Sequence, residues 1–323
     1  MARSKNNSTP AINGFLNLYK PPGITSMGAL RRVKHLTGQR NKVGHCGTMD
    51  PLARGVLPVS FGQATRLMDY IVGGAKKYRM DVKLGVSTTT FDAEGEVVRT
   101  REVKSVNLQM IEEVLQPFVG LIEQTPPMYS AIKVKGQRLY KLARAGVEVE
   151  RKARSVEIYD IRVVDYSPPV LVLEVESGRG AYMRSLADDL GEALGCGGHV
   201  ADLVRLSCGG FNTEDSLTLD DLTEAIARPG GWEGVLHPMD WVLRDLKSIS
   251  FGRQAEESLR HGQSVNLGGP FIDAAYLESF RAYSSEGHFL ALVRYDRPEN
   301  AWRPVKVFRS ASPSLYAPVS SPA

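Results

Sequence analysis

Residues 78–84 alternate strictly between apolar and charged side chains, and this pattern fixes both the type of element and its orientation. The apolar members share one face: Tyr78, Met80, Val82 and Leu84. Successive side chains of a strand point to opposite faces, so the segment predicts a strand that is buried on one side and solvated on the other. Gly85 follows and is expected to end the strand.

Helical signals interleave irregularly with such strands. The predicted elements are helices over 26–37 and 185–194, strands over 156–164 and 170–176, and a helix that opens at the capping-box pattern Thr218-x-x-Asp221. Ser26 is expected to cap the first helix and Gly38 to end it. Because regular βαβ alternation is missing, we expect an α+β fold with a mixed, largely antiparallel sheet flanked by helices.

The composition changes near Leu246, beyond which the strand-like segments are shorter. These segments are 264–267, 288–294 and 305–308. We therefore expect a first domain over 14–245 and a small β-rich C-terminal domain over 246–310. The polar residues 1–13 are expected to form a flexible tail, and the Ser- and Pro-rich residues 311–323 a disordered one.

The charges of the chain are segregated along its length. Residues 1–49 contain eight lysines and arginines and no acid, so Asp50 is the first carboxylate side chain. A second basic stretch runs from Lys133 to Arg154. Segregated basic residues suit contact with a phosphate backbone, although each stretch is also compatible with an ordinary solvated face.

Other features restrict the class of protein. Three cysteines in 323 residues make no disulfide framework and favour a reducing compartment. Apolar runs fall far short of the ~18 residues that a membrane span requires, and residues 1–13 lack the apolar stretch of a secretory signal. We therefore expect a cytoplasmic protein with no membrane association.

No motif for a metal or a nucleotide cofactor is present in the sequence. It contains no Walker loop, no credible dinucleotide fingerprint and no metalloprotease helix. A zinc site would have to use scattered residues without a Cys-x-x-Cys pair: His45, Cys46, Cys196, His199 and Cys208. We therefore expect neither cofactor nor metal.

The densest motif is the segment 44–59, with three glycines and two prolines in sixteen residues. This composition imposes a tightly specified loop. Asp50 stands directly before Pro51, a position that is restricted to extended geometry. The loop therefore presents the carboxylate from an irregular segment rather than from the face of a helix.

This loop and several other motifs resemble the TruB family, the bacterial pseudouridine synthases that act on the T loop of tRNA. The likeness covers residues 14–225, with a weaker match at 258–265 to the start of the family's PUA-like domain. The matching motifs are Gly44-His45-x-Gly47-Thr48-x-Asp50-Pro51, Lys20-Pro21-Pro22-Gly23-Ile24-Thr25-Ser26, Lys77-Tyr78-Arg79, Gly180-Ala181-Tyr182-Met183-Arg184 and the segment 195–206.

The resemblance implies isomerisation of uridine 55 to pseudouridine, with the target base flipped out of the T loop. It makes Asp50 the nucleophile, Arg184 its partner and Tyr78 the residue that stacks on the base. His45 would occupy the position in the base stack that the flipped base leaves. The remaining substrate-binding residues that it implies are Tyr182, Leu203, Lys20, Arg205 and Arg144. It further implies an RNA-gripping insertion over about 125–155 and an RNA-binding role for the C-terminal domain.

Two expectations concern the geometry around Asp50. Arg184 is expected to lower the pKa of Asp50, since a neighbouring guanidinium typically does so by about 1–3 units. Tyr182 and Arg184 are two residues apart, so on an extended segment they would face the same side.

Two other functions remain open at this stage. The same surface would serve a non-catalytic RNA-binding or tRNA-folding protein. It would also serve a pseudouridine synthase that depends on a guide RNA and protein partners. The basic insertion favours an enzyme that grips RNA by itself, and for such an enzyme we expect tRNA as the partner, no obligatory protein partner and a monomer.

Overall fold

The computed structural model describes residues 12–39, 42–104, 106–130, 132–134, 136–147, 149–268, 274–309 and 314–318, without the side chains of residues 133 and 144. No helix within these ranges has the length and apolar character to cross a membrane. The described residues form an α+β fold with a large mixed sheet and a smaller C-terminal sheet.

The strands of the described chain are β1 (Gly14–Lys20), β2 (Val43–His45), β3 (Arg54–Phe61), β4 (Lys76–Leu84), β5 (Val86–Thr88), β6 (Val97–Thr100), β7 (Gly120–Gln124), β8 (Lys133–Val134), β9 (Gln137–Arg138), β10 (Arg154–Ser167), β11 (Val170–Ser177), β12 (Gly198–Cys208), β13 (Phe211–Asn212), β14 (Ser248–Phe251), β15 (Ser279–Ser284), β16 (Phe289–Asp296) and β17 (Ala301–Val307). Its α-helices are α1 (Ser26–Thr37), α2 (Met68–Gly73), α3 (Leu108–Leu115), α4 (Leu139–Arg144), α5 (Met183–Ala193), α6 (Leu219–Ala227) and α7 (Arg253–Arg260). Four short 3-10 helices cover Gly62–Leu67, Gln116–Phe118, Trp232–Val235 and Met239–Leu243.

The large sheet runs in the order β1-β3-β12-β4-β11-β10-β7, with β2 paired to β3 and β13 to β12. All of its neighbouring strands are antiparallel except β12 and β3, which confirms the predicted mixed, largely antiparallel sheet. Helices α1, α3, α5 and α6 share one core with this sheet. The alternation in β4 is confirmed as well, since its apolar face is buried while Arg79 and Lys83 are exposed.

Helix α1 has the predicted bounds, but its cap differs from the prediction. Thr25 is the capping residue, and its side chain accepts a hydrogen bond from the backbone N–H of Gly28. Ser26 is buried instead, and its hydroxyl bonds to the backbone of a distant loop. Thr25 and Ser26 both carry a hydroxyl group that could cap the helix. Because Ser26 bonds to the distant loop, Thr25 is the residue that caps it.

The smaller sheet has the order β14-β15-β16-β17 and provides the predicted β-rich C-terminal part. The sequence analysis missed α7, an amphipathic helix that buries a single residue, Leu259. It also predicted a strand over 264–267 that does not form, because only Val265 makes a bridge there, to Trp302. A second hydrophobic cluster with members such as Phe15, Phe211 and Phe289 joins the two sheets.

Five residues of the expected disordered tail, 314–318, are held against the body of the protein. The N–H of Ser314 donates to the carbonyl of Gly287 at 2.9 Å, and Arg281 donates to the carbonyl of Tyr316 at 3.2 Å. These two hydrogen bonds give this stretch defined contacts, and the disorder of the tail as a whole stays a prediction. The other residues of that tail, and residues 1–11 of the N-terminal tail, lie outside the described part of the chain.

The contact between β3 and β12 depends on a glycine. Gly55 has φ +107°, and a Cβ built on it would lie 2.3 Å from the carbonyl oxygen of Arg205. Gly55→Ala therefore adds a steric clash to backbone strain. We expect it to lower the free energy of unfolding by more than about 2 kcal/mol in denaturant titration.

Gly38→Ala is the matched control, because Gly38 has φ +68° with open space around it. It should cost about 1 kcal/mol from backbone strain alone. Equal losses for the two variants would show that the close approach of the strands is unimportant.

Candidate active site

The loop between β2 and β3 carries Asp50 and is fixed by the segment before α1. The Ser26 hydroxyl accepts a hydrogen bond from the N–H of Met49 at 2.8 Å and donates to its carbonyl at 3.1 Å. The N–H of Gly23 donates to the carbonyl of Pro51 at 2.8 Å. The residues on both sides of Asp50 are therefore tied to one rigid helix start.

Lys20 contributes to the same scaffold from a fully buried position, with 0% exposure. Its ammonium group donates to the carbonyls of Pro21 (2.9 Å), Ile24 (2.7 Å) and Pro51 (3.2 Å). Burial lowers the pKa of Lys20 to about 8, against the opposing effect of the Asp50 charge. These contacts show that Lys20 holds the loop, and its expected role in binding substrate stays a prediction.

Asp50 and Arg184 form a two-pronged ion pair. The guanidinium donates through Nε to Oδ2 at 2.9 Å and through Nη2 to Oδ1 at 2.7 Å. The Arg184 side chain is 3% exposed and that of Asp50 30%, so the carboxylate is the accessible member. Arg184 is the second residue of α5 rather than part of an extended segment, which corrects the predicted local geometry.

All three nitrogens of the Arg184 guanidinium donate hydrogen bonds. Besides Asp50, it donates to the carbonyl of Tyr129 at 2.8 Å and to that of Thr90 at 3.2 Å, and its Nη1 lies 3.4 Å from the carboxylate of Asp92. Asp92 is buried and accepts a hydrogen bond from the Thr90 hydroxyl. The sequence analysis missed Asp92, because nothing near it in the sequence signals a buried acid.

The start of α5 is clamped by the segment that precedes the insertion. The Gln124 amide accepts from the N–H of Tyr182 at 2.7 Å and donates to its carbonyl at 2.9 Å. The Ser185 hydroxyl donates to the carbonyl of Thr125 at 2.7 Å. Arg184 therefore has a fixed backbone as well as a hydrogen-bonded side chain, and the pair with Asp50 is preorganised.

The pKa of Asp50 shifts in the opposite direction to the expected one. Burial raises the pKa of Asp50, and the Arg184 guanidinium opposes this shift without reversing it. The Asp92 carboxylate raises the pKa further, whereas Lys20 lowers it. The sequence predicts a lower pKa for Asp50 because it indicates the nearby guanidinium. It does not show that the carboxylate loses its surrounding water in the folded protein, and this loss has the larger effect on the pKa.

Tyr78 and Arg205 face each other across β4 and β12, as partners in the strand register. Burial raises the pKa of Tyr78, and the charge of Arg205 opposes this. Arg205 is buried and donates to the carbonyls of Val56 at 2.7 Å and Gly47 at 3.4 Å. Arg205 therefore supports the loop, and Leu203 belongs to the main core. The expected substrate contacts of both residues stay predictions.

The other predicted site residues are placed differently. His45 ends β2, burial lowers its pKa, and its Nδ1 is buried without a hydrogen-bond partner in the described structure. Tyr182 is the residue directly before α5. Burial raises its pKa, and the charges of Asp50 and Arg184 also act on it. Arg144 ends α4, and its side chain lies outside the described part of the structure.

The residues of the alternative zinc site do not come together. Cys46 and Cys208 lie in the cluster between the two sheets, whereas Cys196 belongs to the main core. The Nδ1 atom of His199 lies 2.7 Å from the carbonyl of Val86. Among the described residues, no three histidine, cysteine or acidic side chains are grouped so as to hold a metal ion.

Chains of two solved structures share this fold. The chain aligns with one from "Crystal Structure of a Cbf5-Nop10-Gar1 Complex" at TM-score 0.68 and 26% identity, over 95% of this chain and 87% of that one. It also aligns with a chain from "Structure of H/ACA RNP bound to a substrate RNA containing 2'-deoxyuridine" at TM-score 0.69 and 24% identity, over 94% and 87%.

Two family models give the class of protein, which is a pseudouridylate synthase. Residues 34–183 match the TruB family pseudouridylate synthase N-terminal domain, and residues 184–244 match the tRNA pseudouridylate synthase B C-terminal domain. Two curated relatives are both called tRNA pseudouridine synthase B. The one from Dehalococcoides mccartyi (strain ATCC BAA-2266) is 41% identical over 95% of this chain and 100% of the relative. The one from Thiobacillus denitrificans is 44% identical over 88% and 92%. The chain belongs to the TruB family.

Ser26→Ala tests whether the start of α1 holds the Asp50 loop. The substitution leaves the buried N–H and carbonyl of Met49 without their partner, which costs about 1–3 kcal/mol. We expect the rate of pseudouridine formation at saturating RNA to fall at least tenfold while KM changes little. Rates and denaturant unfolding would be measured on the same preparations.

Thr25→Ala is the control, since it removes only the cap of α1 and should cost about 1 kcal/mol of stability. Its rate should stay near that of the parent. The same loss of rate in both variants would assign the effect to the helix rather than to the contact with Met49.

Proposed function

We propose that the protein isomerises uridine 55 of tRNA to pseudouridine in the T loop, with Asp50 as the nucleophile. The observation that carries the proposal is the two-pronged pair of Asp50 with the buried Arg184, in which the carboxylate keeps its exposure. The curated relatives named tRNA pseudouridine synthase B support tRNA as the substrate.

The reaction breaks the bond between N1 and C1′, turns the base and joins C5 to C1′; C5 loses its proton and N1 takes up a proton. It involves no net redox change, so a carboxylate nucleophile and proton transfer account for it. Asp50 is an effective nucleophile only in its ionised form. The guanidinium of Arg184 pairs with that anion, and its other donors are held by Tyr129 and Thr90, so it cannot swing away.

Access to the target base requires its extrusion from the stacked loop, which costs a few kcal/mol. Stacking on an aromatic side chain returns about 1–3 kcal/mol per base. We assign this stacking to Tyr78, whose strand partner Arg205 donates to the carbonyl of Gly47 in the loop that carries Asp50. We assign the vacated stack to His45, whose imidazole has an unbonded, buried Nδ1 in the described structure.

The stand-alone form of the enzyme is favoured over the guide-dependent form. The relative from Dehalococcoides mccartyi is matched along its whole length. The chain also has its own insertion after β7, where β8, β9 and α4 form a small unit with basic residues such as Arg138 and Lys141. A basic unit beside the site supplies phosphate contacts without a guide RNA.

Asp50→Asn should abolish pseudouridine formation, because an amide is neither ionised nor nucleophilic at neutral pH. RNA affinity should change less than threefold. Arg184→Lys should lose at least a hundredfold in rate, since an ammonium cannot replace a planar, two-pronged donor. Tritium release from C5-labelled uridine in tRNA measures the rate, and filter binding measures the affinity.

Arg79→Lys serves as the control, because Arg79 is exposed on the opposite side of β4. Its rate should match that of the parent. Retained turnover in Asp50→Asn would refute the proposed nucleophile, and a near-normal rate in Arg184→Lys would refute the proposed pairing.

The pH dependence follows from the direction of the Asp50 shift. Burial raises the pKa of Asp50, so the carboxylate is protonated, and activity lost, as the pH falls through a value above the ordinary ~3.9. Single-turnover rates with excess enzyme should show this acid limb while near-ultraviolet circular dichroism remains native. An acid limb at or below ~3.9 would contradict the account.

A further inference from the structure

Helix α5 carries Arg184 in its first turn, where a cation is unfavourable because the start of a helix is positively polarised. Tyr182 is the residue before the helix, and in the described structure its side chain makes no capping hydrogen bond. The first turn contains no acidic side chain that would offset the dipole. The start of α5 therefore depends on contacts from other parts of the chain.

Two consecutive residues, the last of β7 and the one after it, supply these contacts. The Gln124 amide is 1% exposed and bonds both backbone groups of Tyr182, since it accepts from the N–H at 2.7 Å and donates to the carbonyl at 2.9 Å. The carbonyl of Thr125 accepts from the hydroxyl of the buried Ser185 at 2.7 Å. Tyr182 and Ser185 lie on either side of Arg184 in the sequence, so the backbone of the arginine is held from both directions.

The direction of the Arg184 guanidinium follows from this backbone. Its Nε and Nη2 atoms donate to the two carboxylate oxygens of Asp50 at 2.9 and 2.7 Å. A planar fork matches a carboxylate only when both of its prongs are aligned. A misplacement of about 1 Å at a reacting group is enough to cost roughly a hundredfold in rate. The bonds at the start of α5 are therefore as important to the pair as the pair's own hydrogen bonds.

We infer, on the basis of the proposed function, that Gln124 is a positioning residue for the isomerisation and acts through the backbone of Tyr182. Because the Gln124 side chain is buried, it directs Arg184 toward Asp50 without contact with RNA. The same amide fixes the backbone of Tyr182, a second residue of the predicted site. Its effect therefore falls on the rate of the chemical step rather than on RNA affinity.

Gln124→Met tests this role, because methionine keeps the length of glutamine but cannot bond the backbone of Tyr182. Single-turnover pseudouridine formation in a T-arm stem-loop, with enzyme in excess, reports the chemical step. The dependence of that rate on enzyme concentration gives the RNA affinity. We expect the rate at saturating enzyme to fall about thirtyfold while the affinity changes less than about threefold.

The pH dependence of the rate separates positioning from a loss of fold stability. Charged groups act on Asp50 from three elements: Arg184 from α5, Asp92 and Glu94 from the loop between β5 and β6, and Lys20 from β1. Arg184 is the strongest of those that oppose the raised pKa of Asp50. A misplaced guanidinium opposes it less, so in Gln124→Met the pKa rises further and the acid limb of the rate moves to higher pH. A loss of stability alone leaves that limb in place.

Asn17→Leu is the matched control, because Asn17 is another buried amide with two hydrogen bonds. It is 2% exposed and donates to the carbonyl of Asn212 at 2.8 Å and to the carboxylate of Asp215 at 2.9 Å, and neither partner belongs to the Asp50 loop or to α5. It should lose stability in thermal unfolding but keep the parental rate and acid limb.

Should Gln124→Met fail to fold, as judged by thermal unfolding, Ser185→Ala takes its place, since it removes only the bond to the carbonyl of Thr125. We expect a smaller effect of the same kind, with a rate about tenfold lower and the acid limb again at higher pH.

The inference is overturned if Gln124→Met, or Ser185→Ala in its place, has the parental rate or an acid limb at the parental pH. It is also overturned if RNA affinity falls as much as the rate, or if Asn17→Leu loses as much rate. Failure of the proposed function is read separately, as absent pseudouridine formation by the parent protein or retained turnover in Asp50→Asn. The positioning role of Gln124 can therefore fail while the proposed function stands.

Discussion

The ion pair between Asp50 and Arg184 is the contact on which the site depends. It joins a loop near the start of the chain to a helix residue that lies 134 positions later. A buried charge is costly unless it is paired and hydrogen-bonded. The fold meets this requirement on both sides, because Ser26 and Lys20 hold the backbone around Asp50 while Gln124 holds the start of α5.

This arrangement separates positioning from contact with substrate. Several residues of the family motifs are buried beneath the site rather than exposed in it, notably Lys20 and Arg205. Each donates to backbone carbonyls of the segment that carries Asp50. These motif residues therefore support the backbone of the loop in this structure. A rigid loop also means that Asp50 needs no reorganisation when a base enters, which is where an enzyme of this kind gains rate.

Much of this structure is predictable from the sequence, and the failures have a common cause. Helix α1 is predictable because its apolar spacing and Gly38 are local signals. The pairing of Asp50 with Arg184 follows only from the family resemblance, since no local pattern links them. The pKa direction of Asp50, the partner Asp92 and the burial of Lys20 depend on contacts between distant segments. All three features are determined by tertiary packing, so they cannot be predicted from any short segment of the sequence.

The central claim is that one chain holds a complete carboxylate site for a single uridine of the T loop. Nucleotide-resolution mapping of pseudouridine in a minimal T-arm RNA, after incubation with the pure protein alone, tests it most directly. The account predicts one modified position, uridine 55, without any added RNA or protein. Modification only after a guide RNA or partner protein is added, or at a different uridine, would contradict it.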